Sequence, residues 1–391
     1  MQSSLRLVVG GAMGPFPFAG QTWLYLNWIR GLQRLGHDVY YVEDHNTWHF
    51  DPEKQLITDD CSYTARHIQE SMERIDMTDR WALRFQPTNS HWGMDEKELR
   101  ELYRSCDALL NLGGMLIVEG EPVNETRFRV LIETDPVTDQ LRLASGSEDV
   151  RRHFDQHDVI ATYGENYGAD DCGVPISGEN YVKTRQPIDL DLWPASYEPA
   201  STTFTTIGNY RVETNKEVTY RGRLYRWSKH SEWEKFLSLP RLTGHPFEMA
   251  TVFRRQDDRE RVLANGWGIV PASPMSLDVF GAYPQYIRKS RAEFSVAKEQ
   301  NILLRSGWFS ERDACYLASG KPVIAQQTGF SNILPTGEGL LPFETVDDAV
   351  NAVASVNNDY ERHCKAARAI AGEFFEAGAV AGRLLSDVGL A

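Results

Sequence analysis

The sequence predicts an α/β protein with two domains facing a cleft, and three observations predict it. At 391 residues the chain exceeds one ordinary hydrophobic core. Short apolar runs alternate with segments of helical period, and each run ends in glycine or polar residues, the pattern of parallel sheets with crossover helices. The pattern stops at residues 186–201, which hold three prolines and no helical period, and then restarts. Hydrophobic residues at 41% and charged residues at 25% are the composition of a globular protein.

The first run is Leu5 to Val9, closed by Gly10 and Gly11. A loop rich in Gly, Pro and Phe follows, to Gly20. Apolar residues then recur at helical spacing (Trp23, Leu26, Trp28, Leu32, Leu35) before Gly36, which suits a helix stop. His37-Asp38 leads into a second strand, Val39 to Val42, completing a βαβ unit whose loop lies at a strand's carboxyl end. Strands are expected at Ala108–Leu112, Arg129–Ile132 and Val159–Ala161.

In the second half, strands are expected at Phe204–Ile207, Phe294–Ala297 and Lys321–Ala325. Helices are expected at Glu232–Leu239, Asp347–Val356 and Tyr360–Phe374, and a last one near Ala379–Leu390. Domains are therefore drawn at residues 1–195 and 196–372, with 373–391 as a terminal helix.

A formal net charge of −14 argues against general nucleic-acid binding, which needs a basic face to displace counterions. Five scattered cysteines without a CxxC pair read as reduced thiols in a cytoplasmic protein. The histidines form no HxxxH or HExxH pattern, so no metal is expected. Leu5 to Val9 is too short for a signal-peptide core or a membrane span.

The segment from Arg305 to Phe330 carries the chemistry. Ser306-Gly307 makes a tight turn that opens a helix from about Ser310 to Ser319, stopped by Gly320. A helix start fed by glycine and hydroxyl residues presents free N–H groups and a positive dipole end, which suits a diphosphate. Pro322 begins the next strand, and Thr328-Gly329 forms a loop at the same sheet edge.

Ala318-Ser-Gly-Lys-Pro-Val-Ile324 resembles the "A-x-G-K-P-V-I" of nucleotide-sugar glycosyltransferases of the GT-B fold, and Gly337-Glu-Gly-Leu-Leu341 resembles their "G-x-G-L-L". The Gly10 to Gly20 loop and His37-Asp-Val39 are similar to that family's N-terminal glycine loop and "G-H-x-V" strand start. The resemblance implies two Rossmann-like domains facing a cleft, with a nucleotide-sugar donor such as a UDP-sugar as co-substrate and a hydroxyl acceptor. It also implies a terminal helix crossing back to the first domain. The family's ribose-binding glutamate falls here on Cys315, and a second glutamate of its retaining branch falls on Gly307. Glu311 and Asp313 are the acids near enough to stand in.

The donor contacts expected on this basis are Gly11, Arg223, Lys229, Lys298, Arg305, Ser306, Gly307, Ser310, Asp313, Thr328 and Gly329. Lysine and arginine are the groups that hold a pyrophosphate and stabilise its departure. The catalytic candidates are Asp135 and Glu165, carboxylates after strands that point at the cleft, one of which would take the acceptor proton. Phe16 and Phe18 are candidates for stacking on a sugar or acceptor. Two other activities fit the same residues: a nucleotide-sugar epimerase of the same fold, and a non-catalytic nucleotide- or sugar-binding protein. The acceptor stays open, modified DNA included.

Overall fold

The computed structural model describes residues 4–116, 118–214 and 216–390. The N-terminal half contributes β1 (Arg6–Gly10), β2 (Asp38–His45), β3 (His49–Asp51), β4 (Leu56–Thr58), β5 (Trp81–Phe85), β6 (Ser90–Gly93), β7 (Ala108–Leu112), β8 (Arg129–Glu133), β9 (Val159–Thr162) and β10 (Tyr181–Lys183). Eight of them form one sheet in the order β10-β9-β8-β7-β1-β2-β5-β6, parallel except for β6; β3 and β4 make a separate hairpin. Leu7, Val8, Val9, Leu109 and Leu110 are fully buried, as strands covered on both faces must be.

The C-terminal half adds β11 (Phe204–Ile207), β12 (Val218–Tyr220), β13 (Arg223–Tyr225), β14 (Phe247–Thr251), β15 (Gly268–Pro271), β16 (Ala292–Ser295), β17 (Val323–Gln326) and β18 (Leu340–Phe343). The second sheet is wholly parallel, in the order β15-β14-β11-β16-β17-β18, with β12 and β13 as an outlying hairpin. In both sheets the chain runs outward from a central strand, returns, and runs out the other way. The reversals fall between β1 and β7 and between β11 and β16, where such sheets open a crevice at their carboxyl ends.

The two halves are fastened at many points. Trp23, in the helix Ala19–Arg34, donates its indole N–H to the Val279 carbonyl at 2.9 Å and packs 4.8 Å from Trp193 of the connecting segment. The last helix, Ala377–Asp387, returns to lie on Ala19–Arg34. Gly31 makes that contact close: a Cβ there would stand 2.4 Å from the Ala377 carbonyl oxygen. Asp189, fully buried, pairs with Arg30 at 2.9 Å and Arg34 at 2.6 Å beside the crossing.

Several elements differ from the sequence reading. The strand expected at Phe294–Ala297 is Ala292–Ser295, because Glu293 is buried in it as the partner of Arg312. The β3–β4 hairpin, β5 and β6 lie where no strand was expected; Arg84 and the polar His91 interrupt their apolar pattern.

Candidate active site

A cavity of about 380 Å³ opens at the carboxyl ends of β11 and β16. Thr206, Gly208 and Asn209, at the end of β11, line it with Met249 of β14, and so does Gln21, from the first helix of the other half. Trp227 and Trp308 supply aromatic faces, and three cations converge: Lys229, Lys298 and Arg312. The parallel strands explain the convergence, since every βα loop of such a sheet emerges on this edge.

Lys229 immediately precedes the helix His230–Phe236. Its ammonium lies 5.5 Å from the centre of the Trp308 ring and has no carboxylate partner among the described residues. Burial, reinforced by repulsion from Arg312, pushes its pKa down to about 7. Lys298, just after β16, sits 2.5 Å from both carboxylate oxygens of Asp135 and 3.6 Å from the centre of the Trp227 ring. Burial brings Lys298 down to about 8 against the pull of Asp135. For Asp135, burial acts upward, but the attraction of Lys298 outweighs it and holds the carboxyl below its usual range. Trp227 donates to the same carboxylate at 2.7 Å.

Arg312 is held rigidly. Its guanidinium bonds to the buried Glu293, to the Ile207 carbonyl at 2.6 Å and to the Ser295 hydroxyl at 3.0 Å. Burial, then the neighbouring Asp313, pushes the Glu293 carboxyl well above its usual range. Arg312 also belongs to the first turn of the helix Glu311–Ala318, whose N-terminus no side chain caps. Ser310 and Arg312 line the cavity, so the uncapped end and its dipole lie at the cavity beside the cations. The arrangement has the charge and the aromatic walls that suit an anion.

Solved structures share the whole architecture. An α-glucosyltransferase solved with UDP and a 13-mer DNA containing an HMU base superimposes with a TM-score of 0.60 at 12% identity, over 99% of this chain and 100% of that one. The HepE protein of Anabaena, solved with UDP and glucose, gives 0.57 at 12% identity over 98% and 99%. AviGT4, a glycosyltransferase involved in avilamycin A biosynthesis, gives 0.52 at 14% identity over 98% and 97%. The fold is GT-B. No protein-family model matches the sequence, and no curated protein matches it at a significant level.

Within the GT-B frame, the structure brings Lys229, Lys298 and Ser310 to the cavity and redirects the other expected contacts. The Ser306-Gly307 turn offers no free amide. Ser306 N–H donates to the Asn301 carbonyl at 3.2 Å and Gly307 N–H to the Thr328 carbonyl at 2.7 Å, while the Ser306 hydroxyl donates to Asn301 at 2.8 Å. Thr328 donates its hydroxyl to the Trp308 carbonyl, and Gly329 N–H goes to the Gln327 side chain. The turn is a structural joint against Asn166, not a phosphate cradle.

Gly11 is sealed beneath Tyr25 and Tyr41, its amide bonded to the Val42 carbonyl at 3.0 Å. Arg305 pairs with Asp171 and Glu344, outside the cavity. Arg223 is exposed on the β12–β13 hairpin, against Tyr225. Asp313 is buried behind Arg312 and does not line the cavity, and Cys315 is buried in the core. Glu165 is held by Arg185 at 2.6 Å in a buried ion pair, with the Arg185 guanidinium 5.7 Å from the Phe374 ring. It does not line the cavity. Asp135 is at the cleft, but bonded to Lys298.

Arg312, Trp227 and Trp308 were missed by sequence reasoning. The signal available was Arg312's place in the first turn of the helix opened at Ser310, read only for its amides. The described residues contain no cluster of metal-ligating side chains and no helix long and apolar enough to cross a membrane.

Proposed function

We propose that this protein is a glycosyltransferase that moves a sugar from a nucleoside-diphosphate donor, a UDP-sugar, to a hydroxyl acceptor. Lys229 carries the proposal: an ammonium lining the cavity, in no ion pair among the described residues and beside a fixed arginine, at an uncapped helix N-terminus. A lysine pushed toward neutrality by burial, and further by a neighbouring arginine, is unfavourable as a cation until an anion arrives, and a diphosphate brings charge enough for Lys229, Lys298 and Arg312 together. The similar folds solved with UDP support the same ligand class.

In the reaction, Arg312 and Lys229 stabilise the negative charge that grows on the diphosphate as the bond to the sugar breaks. Asp135 takes the acceptor proton once Lys298 turns from it to the phosphates, since loss of that cation leaves burial to raise the carboxylate's proton affinity, as a general base requires. Protein cations fill the role a divalent ion would otherwise fill, so activity is expected to survive EDTA. The five free thiols support a reducing, cytoplasmic setting.

The test is incubation with a panel of UDP-sugars. Slow release of UDP by wild type, lost in Arg312→Gln, is the expected result. Interconversion of the sugars would mark an epimerase. A melting shift with UDP but no release would mark a non-catalytic binder.

A further inference from the structure

Among the described residues, Gln21 is the one from the N-terminal half that lines the cavity, and it carries no charge. The cations around it, Lys229, Lys298 and Arg312, all come from the C-terminal half. A diphosphate satisfies those cations. The sugar it carries has to face the N-terminal half, where Asp135 stands, if it is to be transferred.

Both halves fix the position of Gln21. In the first turn of the helix Ala19–Arg34, its amide donates to the Phe18 carbonyl at 2.9 Å. Trp23 ties that helix to Val279, and the Asn27 side chain donates to Glu311 at 3.1 Å. Glu311 lies between Ser310 and Arg312, which line the same cavity.

The side chain is oriented as well. Gln21 Nε2 donates to the Tyr25 hydroxyl at 2.9 Å, one helical turn along, and the Ala12 amide is directed at the same oxygen. Tyr25 is fully buried and packs 5.6 Å from Tyr41. The Tyr41 hydroxyl accepts from the Met13 amide at 3.0 Å and donates to the fully buried Glu43 at 2.6 Å; Glu43 also accepts from the Gly14 amide at 2.9 Å. With Nε2 engaged on this frame, the carboxamide cannot turn freely, and Oε1 is the acceptor it has left. An acceptor offers nothing to a phosphate oxygen, which is itself an acceptor, but it matches a hydroxyl.

We infer that Gln21 reads the transferred sugar: its Oε1 accepts from a sugar hydroxyl and selects donors that carry a hydroxyl at that place. This rests on the glycosyl-transfer reading and adds the choice of sugar to it.

The experiment titrates UDP-glucose, UDP-galactose, UDP-xylose and UDP-N-acetylglucosamine by calorimetry, with UDP as the sugar-free reference. The proteins are wild type, Gln21→Leu and Tyr25→Phe, the last keeping the ring and removing only the hydroxyl. Wild type is expected to rank the sugars, best over worst by about tenfold or more, because a site built to pair a hydroxyl rejects sugars that lack it. Gln21→Leu should bind UDP like wild type and bring that ratio close to one. Tyr25→Phe should reduce the ratio part of the way. Gln21→Asn, which withdraws the amide by one methylene, should reduce it too and replaces the leucine variant if that one folds poorly. An unchanged ratio in Gln21→Leu overturns the inference, as does a wild type that binds all four sugars equally. So does a fall in UDP affinity matching the fall for the UDP-sugars, which would make Gln21 a nucleotide contact. Wild type without any affinity for UDP would instead overturn the donor site itself, so the two failures are distinguishable.

Discussion

Lys298 spans the cleft to place its ammonium 2.5 Å from both carboxylate oxygens of Asp135, pairing the donor half of the molecule with a strand end of the other half. The same ammonium lines the cavity in which the diphosphate is proposed to bind. On that proposal carboxylate and phosphate compete for one cation, and donor binding would be coupled to release of Asp135.

Asp135→Asn separates these roles. Without the carboxylate, Lys298 is a largely buried cation that has lost its partner, and the unliganded protein should lose about 1–3 kcal/mol of stability, less than a fully buried pair because Asp135 is partly exposed. UDP no longer has to displace a competitor, so its stabilising shift should grow while sugar transfer falls. Calorimetric melting with and without UDP measures both. A smaller UDP shift in the variant contradicts the competition.

Lys229 gives a pH signature. Its pKa of about 7 in the folded protein lies below the unfolded value, so the unfolded chain binds more protons between the two and stability contributed by this group rises with pH across that window. Lys229→Met removes the buried charge, and the unliganded melting point should hold or rise at neutral pH. A bound diphosphate raises the lysine's pKa, so binding of UDP-glucose near pH 8 should take up protons. Titration calorimetry in buffers of different ionisation heat reads that uptake. It should shrink in the methionine variant.

Gly307 tests the corrected role of its turn. Its φ of +83° and a Cβ position only 2.4 Å from the Asn166 amide nitrogen make Gly307→Ala strained and crowded. The expected cost is about 2–4 kcal/mol in unfolding, with UDP affinity near that of wild type wherever the protein is folded. Chemical denaturation and a UDP titration together decide it. A stable variant with lost UDP affinity would restore the turn as a phosphate contact.

Much of the fold was legible because its signals are local. The apolar runs before Gly10, Gly113 and Glu133 are strands buried on both faces, and Trp23 and Trp28 recur at helical spacing on a helix packed by both halves. The site was legible in part: Lys298 as a lysine ending a buried strand, Lys229 as a cation just before a helix, and Ser310 as a helix start. The Ser306-Gly307 reading failed because free amides are a property of tertiary neighbours: Asn301 and Thr328 supply the acceptors, and neither partnership leaves a spacing signature. Arg312 went unseen for the same reason. Its partner Glu293 lies on a strand, and the pairing exists only once β16 stands beside the helix.

The central claim is that Lys229, Lys298 and Arg312 hold a diphosphate. The most direct measurement is the affinity of wild type for UDP against that for uridine, which has the same base and ribose but no phosphates. UDP is expected to bind at least about a hundredfold more tightly, a difference of roughly 2.7 kcal/mol that collapses in Lys229→Met. Equal affinities for UDP and uridine, or a preference untouched by Lys229→Met, would contradict the account.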